Sequence, residues 1–280
     1  MFVPTRIKIL KRIPRGSREL AASSLASIID SVVKNNDVAT WERLLSFASS
    51  CLATPKRGGR RRDLTTKVNN QIKSSDPPEH YSPAIQYRQK KSNSQTVDPL
   101  IDLASRISSK LEEGDFKGAV RLACSSDTIA DRDQDTLIAL QQKHPLPPPD
   151  CAIPQPPHTI ISSISISEDD VVCAILSFPN GSAGGPDGLR PQHLKDMLRT
   201  NEDRGSRALV KSLTDFINLV LVGKVPASVR PYFFGASLIA LKKKDGGIRL
   251  IAVGCTLHRL VAKCAGKSAK AVASTCTLLF

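Results

Sequence analysis

Seven prolines stand between His144 and Pro157, and they limit the possible folds more than any other feature of the sequence. Proline fixes the backbone φ angle and has no amide proton to donate, so this run excludes a helix and favours an extended path. We interpret residues 144–160 as a Pro-rich linker that precedes a C-terminal domain. A docking site for an SH3-type domain is the alternative to a spacer, and it would make the chain a protein-interaction scaffold.

The charge of the chain is large and unevenly distributed. Forty Lys and Arg side chains against 26 Asp and Glu give a formal net charge of +14. Residues 1–91 hold 18 basic and 7 acidic side chains, residues 92–170 hold 6 and 13, and residues 171–280 hold 16 and 6. Two basic segments therefore flank an acidic one, and we expect a polyanionic partner, RNA or DNA.

Composition also bears on the class of protein. No apolar run approaches the roughly 20 residues that a membrane-spanning helix needs, and the N-terminus lacks the apolar stretch of a secretory signal. The seven cysteines are odd in number and form no CxxC pair, which argues against a disulfide scaffold. We expect an intracellular protein of the nucleus or cytoplasm, without a membrane partner. A near-cluster that could hold zinc is better interpreted as buried free thiols; it consists of Cys255, His258, Cys264 and Cys276.

Helical patterns dominate the first half of the chain. Ser17 and Asp37 can each cap a helix in a basic N-terminal region, residues 1–73. Residues 74–97 are rich in proline and polar side chains, and we interpret them as a linker. Three short helices follow in an acidic segment, residues 98–143; they are expected to start near Asp98, Phe116 and Asp133.

A further helix is expected after Ser167, which has the spacing of an N-cap with Asp170. Asp169 and Asp170 could also serve as a metal-binding carboxylate pair. The cap explains the whole run from Ser167 to Asp170, because acidic side chains in a first helical turn complement the helix dipole. We therefore predict a structural role for these two carboxylates.

The pattern changes from helix to strand near Gly235. Two apolar runs, 235–241 and 248–253, flank Asp245-Gly246-Gly247, which is typical of a hairpin turn. The hairpin would carry a cluster of cations near its tip: Lys242, Lys243, Lys244 and Arg249. Such a cluster could bind a polyphosphate, or it could be a solvated tip.

The densest basic run is Lys56-Arg57-Gly58-Gly59-Arg60-Arg61-Arg62. A flexible arginine cluster suits phosphate binding, since each neutralised phosphate releases condensed counterions. We list Arg57, Arg60, Arg61 and Arg62 as candidate nucleic-acid contacts. A solvated loop and a nuclear import signal are the alternatives.

Two blocks of the second half resemble the reverse transcriptases of non-LTR retrotransposons. The first is GGPDGLRPQHLKDML (Gly184 to Leu198), which is similar to the Gly-Pro-Asp-Gly block at the start of that polymerase domain. The second is FFGASLIALKKKDGGIRLIAVGCTLHRLVAK (Phe233 to Lys263), which is similar to the fingers hairpin of the family. The resemblance covers about the last 110 residues of the chain.

This resemblance implies site residues and a ligand. In the family a Lys and an Arg of the hairpin contact the incoming nucleoside triphosphate, and these roles would fall on Lys243 and Arg249. Lys242 or Lys244 would replace Lys243 if the alignment slips by one residue. Leu250 stands where the family usually has proline.

The resemblance also implies what the chain does not carry. The polymerase reaction uses two Mg²⁺ ions held by palm aspartates, including those of a Tyr/Phe-x-Asp-Asp turn. That turn is not found in the sequence, and no catalytic residue, metal ligand or cofactor is assigned to the chain itself. We expect an N-terminal fragment of an RNA-directed DNA polymerase that is inactive alone. The alternative is a non-enzymatic basic module that binds nucleic acid.

The expected fold class is α+β and mainly α-helical. Helical N-terminal and middle segments would be followed, over residues 161–280, by a partial reverse transcriptase fingers domain with one β-hairpin.

Overall fold

The computed structural model describes residues 7–55, 63–74, 99–125, 128–131, 133–143, 165–198, 204–243 and 245–277. The Arg57–Arg62 cluster, Lys244, the whole predicted linker 144–160 and all but the first residue of the predicted linker 74–97 lie outside these residues. The described part is mainly helical and contains a small antiparallel sheet of three strands, which confirms the coarse fold class.

The chain divides into two compact units. Unit 1 comprises Met1–Thr96, Ile164–Ala236 and Gly254–Phe280, and unit 2 comprises Val97–Ser163 and Ser237–Val253. The predicted segment 1–73 therefore falls in unit 1 and the predicted segment 98–143 in unit 2. The predicted segment 161–280 supplies residues to both.

The described part of unit 1 is mainly helical. After a 3₁₀ turn at Arg15–Ser17, its helices are α1 (Arg18–Asn35), α2 (Val38–Cys51), α3 (Asp63–Lys73), α7 (Glu168–Leu176), α8 (Pro191–Leu198), α9 (Arg204–Leu221), α10 (Arg230–Phe233) and α11 (Thr256–Thr277). Helices α1 and α9 pack against each other along their buried faces. Small residues permit this approach, because a Cβ on Gly205 would lie 2.7 Å from the Ser23 hydroxyl.

A cluster of three aromatic side chains forms part of the core of unit 1. The Trp41 ring lies 5.3 Å from Phe216 and 5.2 Å from Phe233, measured between centroids, and all three side chains are fully buried. The indole Nε1 of Trp41 donates to Asn36 Oδ1 at 2.9 Å. Asn36 itself has a left-handed backbone, φ 52°, and forms the turn between α1 and α2. The single Trp of the chain is thus both packed and hydrogen-bonded.

The two N-caps predicted for the N-terminal region have different outcomes. Asp37 caps α2, accepting a hydrogen bond from the Thr40 amide at 2.8 Å. Ser17 precedes α1 but its side chain makes no cap bond, so that prediction was wrong. The Ser17 hydroxyl is buried and donates instead to the Thr65 carbonyl of α3, at 3.4 Å. Tertiary packing has replaced the local cap.

The N-terminus of unit 1 forms a short extended segment, Lys8–Ile13, which we call the N-terminal strap. Its backbone pairs with the chain after α2: the Leu10 amide donates to the Leu52 carbonyl at 2.9 Å, and Thr54 donates to Lys8 at 2.7 Å. Ile9 packs against Gly188, which lies just before α8. The strap thereby joins α2 to the α8 region.

The described part of unit 2 contains three helices and most of the sheet. The helices are α4 (Pro99–Glu112), α5 (Phe116–Cys124) and α6 (Gln134–Gln142), close to the predicted positions. Asp115 and Asp133 cap α5 and α6 through hydrogen bonds to backbone amides. The predicted hairpin is present as β2 (Ala236–Lys242) and β3 (Ile248–Gly254).

A third strand, β1 (Thr128–Ile129), was not expected from the sequence. It pairs antiparallel with β2, placing Thr128 opposite Lys242 and Ile129 opposite Leu241, and the strand order is β1-β2-β3. The acidic middle segment of the chain therefore contributes a strand to the edge of the basic hairpin.

Among the described residues, no helix combines the length and apolar character that crossing a membrane requires.

Candidate functional site

The hairpin tip carries the cations singled out in the sequence. Lys242 ends β2 and is exposed, and Arg249 is the second residue of β3 and is also exposed. The turn is closed by a hydrogen bond of 2.8 Å from the Lys243 amide to the Gly247 carbonyl. Gly246 has φ 77°, a conformation that favours glycine. The predicted turn therefore forms, and it brings Lys243 and Arg249 onto one hairpin.

Both described lysines of the tip face a carboxylate. Lys242 Nζ lies 2.7 Å from Asp131 Oδ2, and Lys243 Nζ lies 4.0 Å from Asp245 Oδ2. The hydrogen bond to Asp131, followed by the charge of that carboxylate, raises the pKa of Lys242. The tip is thus less positive than its lysine content suggests, and the acid that contacts Lys242 comes from the segment after β1.

A second candidate region lies in unit 1, where the two motif blocks meet. We call it the motif junction; it consists of Ala183–Leu189 and Gly254–Arg259. A Cβ on Gly185 would stand 2.5 Å from the Gly254 carbonyl oxygen and 2.6 Å from Cys255 Cα. Real Cβ atoms do not approach backbone this closely, so only glycine fits at position 185.

Hydrogen bonds from α11 hold the junction together. The buried hydroxyl of Thr256 donates to the Leu189 carbonyl at 2.5 Å. Arg259 Nη2 donates to the Ala183 carbonyl at 2.6 Å and to Thr256 Oγ1 at 2.9 Å. Sequence reasoning did not identify Thr256 or Arg259. Their side chains bond to backbone carbonyls far along the chain, which no local pattern shows.

The electrostatics of the junction are set by burial. Desolvation raises the pKa of Asp187 to about 7, against the opposing effects of backbone hydrogen bonds and of Arg259. Asp187 Oδ1 and Arg259 Nε are both buried and have no hydrogen-bond partner. The junction thus holds a carboxylic acid and a guanidinium whose hydrogen bonds are incompletely satisfied.

The cysteines near the junction are buried thiols. Cys255 and Cys264 are both free and buried, as predicted. Burial raises the pKa of Cys255 to about 12 and that of Cys264 to about 11. The Cys255 thiol donates to the Tyr232 carbonyl at 3.4 Å. Both thiols remain protonated at neutral pH and are poor nucleophiles or metal ligands in this state.

The carboxylates at the start of α7 have the predicted structural role. Ser167 and Asp170 form a capping box, and Lys267 of α11 donates to Asp170 at 2.9 Å. These bonds, first that of Ser167 and then that of Lys267, lower the pKa of Asp170 to about 2. Asp169 and Asp170 thus begin a helix, which confirms the prediction made from their spacing.

A basic row on α11 was also missed in the sequence. Arg259, Lys263 and Lys267 recur every four residues and so share one helical face. Lys263 Nζ lies 4.9 Å from the centroid of the Phe178 ring and 3.0 Å from the Ser177 hydroxyl. Lys267 contacts Asp170 in the first turn of α7 and Lys263 contacts the residues at its end, so the row lies along α7. Its four-residue spacing was the available signal.

No group of three or more His, Cys, Asp or Glu side chains that could hold a metal ion exists among the described residues. Compared with protein-family models, curated proteins and solved structures, the chain matches none of them.

Proposed function

We propose that the chain is part of a non-LTR retrotransposon RNA-directed DNA polymerase, with a fingers region that binds phosphate groups. One observation supports this proposal above the others. The two sequence blocks that resemble the family are remote along the chain, yet they pack backbone to backbone at Gly185 and Gly254. The bond from Thr256 to Leu189 joins the same two blocks.

The proposed phosphate-binding side chains lie at the hairpin tip. An ammonium group acts as a movable point charge and a guanidinium as a planar donor, and together they neutralise the oxygens of a triphosphate. Lys243, which directly follows β2, supplies the ammonium group, and Arg249 of β3 supplies the guanidinium. The expected ligand is a nucleoside triphosphate, bound through its phosphates.

In the part of the chain that the structure describes, the residues do not fit the two Mg²⁺ ions of the complete polymerase. The adjacent pair Asp169-Asp170 begins α7, and Asp170 is bonded to Ser167 and Lys267. An aromatic-x-Asp-Asp turn is not found in the sequence. We therefore propose that this chain alone binds nucleotide without incorporating it.

A binding titration tests the proposal. A fluorescent nucleoside triphosphate is titrated with the wild-type chain and with Lys243→Ala, Arg249→Ala and Lys211→Ala. Lys211 is an exposed lysine of α9 and serves as the charge-matched control. Loss of one charge-assisted hydrogen bond should weaken binding about tenfold in each hairpin variant, and the control should bind like the wild type.

Two results would contradict the proposal. Failure of the wild-type chain to bind the nucleotide, or equal weakening in all three variants, would exclude the hairpin as the site. Separately, nucleotide incorporation by the isolated chain on primed RNA with Mg²⁺ would contradict the absence of a catalytic centre.

The charge distribution supports a second candidate, a non-enzymatic module that binds RNA or single-stranded DNA. The segments 1–91 and 171–280 carry the basic excess of the chain. Replacing Arg60, Arg61 and Arg62 by alanine should flatten the dependence of log affinity on log salt by about 2. An unchanged slope would exclude this arginine cluster as a contact.

A further inference from the structure

We propose that Asp131 occupies, on Lys242, the position of a ligand phosphate, so that the segment after β1 is an internal competitor for the hairpin tip. Lys242 then becomes a phosphate-binding cation of the same site as Lys243 and Arg249. The inference rests on the proposed function, because it concerns phosphate binding at this hairpin.

Backbone pairing between β1 and β2 places Asp131 next to Lys242. The Ala130 amide donates to the Ala240 carbonyl of β2 at 2.9 Å, and Thr128 stands opposite Lys242. Ala130 is 5% exposed, one of the few residues buried in the described part of unit 2. Asp131 follows directly and reaches Lys242 Nζ at 2.7 Å.

The contact has the chemistry of a phosphate complex. A carboxylate presents two anionic oxygens to an ammonium group much as a phosphate does, and 2.7 Å is the length of a charge-assisted hydrogen bond. Asp133 adds negative potential and, after Asp131, contributes to the raised pKa of Lys242. Asp133 is fixed as the N-cap of α6 through the Thr136 amide at 2.8 Å. The second acid therefore stays near the lysine.

A phosphate ligand can displace Asp131 from Lys242. The Lys242 side chain is 47% exposed and that of Asp131 is 74% exposed. A solvent-exposed ion pair contributes little stability and is screened by salt. A ligand that brings several phosphates can therefore replace one carboxylate, while the backbone pairing of β1 keeps Asp131 nearby for return.

The test compares two acids that change the net charge equally. Asp131→Asn removes the competing charge, and Asp135→Asn removes an exposed charge from the first turn of α6. Each variant of the full chain is titrated with inorganic triphosphate and with a short single-stranded RNA. We expect Asp131→Asn to tighten binding about threefold to fivefold, the range set by an exposed ion pair. The Asp135→Asn chain should bind like the wild type.

The RNA measurements add a second readout. Lys242 freed from Asp131 can contact one more phosphate, so the slope of log affinity against log salt should steepen by about 0.7 in Asp131→Asn. The double variant Asp131→Asn/Lys242→Gln should lose the whole gain. A gain with triphosphate alone would identify the ligand as a nucleotide phosphate chain, and a gain with RNA alone would identify it as the nucleic-acid backbone; either supports the inference.

The measurements distinguish failure of the inference from failure of the proposed function. If the wild type binds and both Asn variants bind equally well, the proposed function stands and the competitor role of Asp131 is overturned. A gain that persists in the double variant overturns the role of Lys242. If neither the wild type nor Asp131→Asn binds either probe, phosphate binding at the hairpin and the inference are both overturned.

Discussion

The backbone amide of Ile13 donates a hydrogen bond of 3.0 Å to Oδ2 of Asp196, and the two residues lie 183 positions apart in the chain. Asp196 is fully buried, and its other oxygen accepts from Arg18 at 3.4 Å and from Gln192 at 2.9 Å. A buried carboxylate that accepts hydrogen bonds from three donors stabilises the local structure. It attaches the N-terminal strap to α8.

Replacing Asp196 by alanine should strongly destabilise unit 1. The substitution removes the acceptor of the Ile13 amide and of Arg18 Nη2, while Arg18 Nε keeps its bond to the Ile13 carbonyl. We expect a cost of about 3 kcal/mol in the free energy of unfolding. Urea denaturation followed by tryptophan fluorescence measures it, because Trp41 reports on the same core. Asp215→Ala, an exposed change on α9, is the control and should cost little. Equal effects of the two variants would contradict a structural role for Asp196.

His193 should make unit 1 sensitive to acid. Its Nδ1 accepts from the Arg190 amide at 3.2 Å, and its Nε2 lies 2.7 Å from the Leu10 carbonyl, so the neutral ring fits the site. Burial, with a smaller effect of Arg190, lowers the pKa of His193 to about 4, against the opposing effects of Leu10 and Asp196. The unfolded chain therefore binds more protons between pH 6.5 and pH 4. Stability should fall by about 3 kcal/mol as the pH drops through this window.

The variant His193→Gln isolates this effect. Glutamine keeps a donor for the Leu10 carbonyl but does not titrate, so its unfolding free energy should lack the acid-dependent loss. Denaturant unfolding across the window compares the two chains. Parallel pH profiles would show that His193 is not the responsible group.

Asp187 should have the opposite pH dependence. Its pKa is raised to about 7 from 3.8 by burial, so the folded state binds the extra proton and its contribution is lost as the pH rises through that interval. Asp187→Asn should match the wild type near pH 4 and exceed its stability above pH 7 by on the order of 2 kcal/mol. Unfolding at the two pH values provides the measurement. A difference between the chains that is constant with pH would contradict the assignment.

Local chemistry could be predicted from the sequence. Asp37 caps α2 and the Ser167 capping box forms, both as predicted, because an N-cap depends on residues within one turn. The hairpin turn at Gly246 also forms where Asp-Gly-Gly predicted it. Elements with a local cause were found close to their true bounds.

Pairings between distant residues could not be predicted. The Ser17 hydroxyl bonds to α3 rather than capping α1, and the strap pairs with Leu52 across a long chain separation. Strand β1 spans two residues, too few for an alternating pattern to stand out. The acid that contacts Lys242 lies 111 positions away from it. The candidate site was therefore identified by its cations, and its competing carboxylate was missed.

Thr256 should be more important to unit 1 than its small side chain suggests. Thr256→Val preserves the shape but removes the hydroxyl that donates to Leu189 and accepts from Arg259. The Leu189 carbonyl loses this donor in a buried place, while Arg259 keeps its bond to the Ala183 carbonyl. The unfolding free energy should fall by about 2 kcal/mol. Thr214→Val on α9 is a matched control, since that hydroxyl bonds only to Val210 within its own helix. A larger loss in the control, measured by thermal or urea unfolding, would contradict the role of Thr256.

The hairpin should open far more readily than the core of unit 1. In the described part of unit 2 few residues are buried, and Leu238 and Ile239 of β2 are 53% and 41% exposed. A sheet with so little apolar cover is marginal in water, whereas Leu213 and Phe216 of α9 are fully buried. Amide exchange across 237–253 should therefore be at least about a hundredfold faster than in the middle of α9. Leu213→Ala should reduce the protection of α9 and leave the hairpin unchanged, and protection of the hairpin equal to that of wild-type α9 would overturn the expectation.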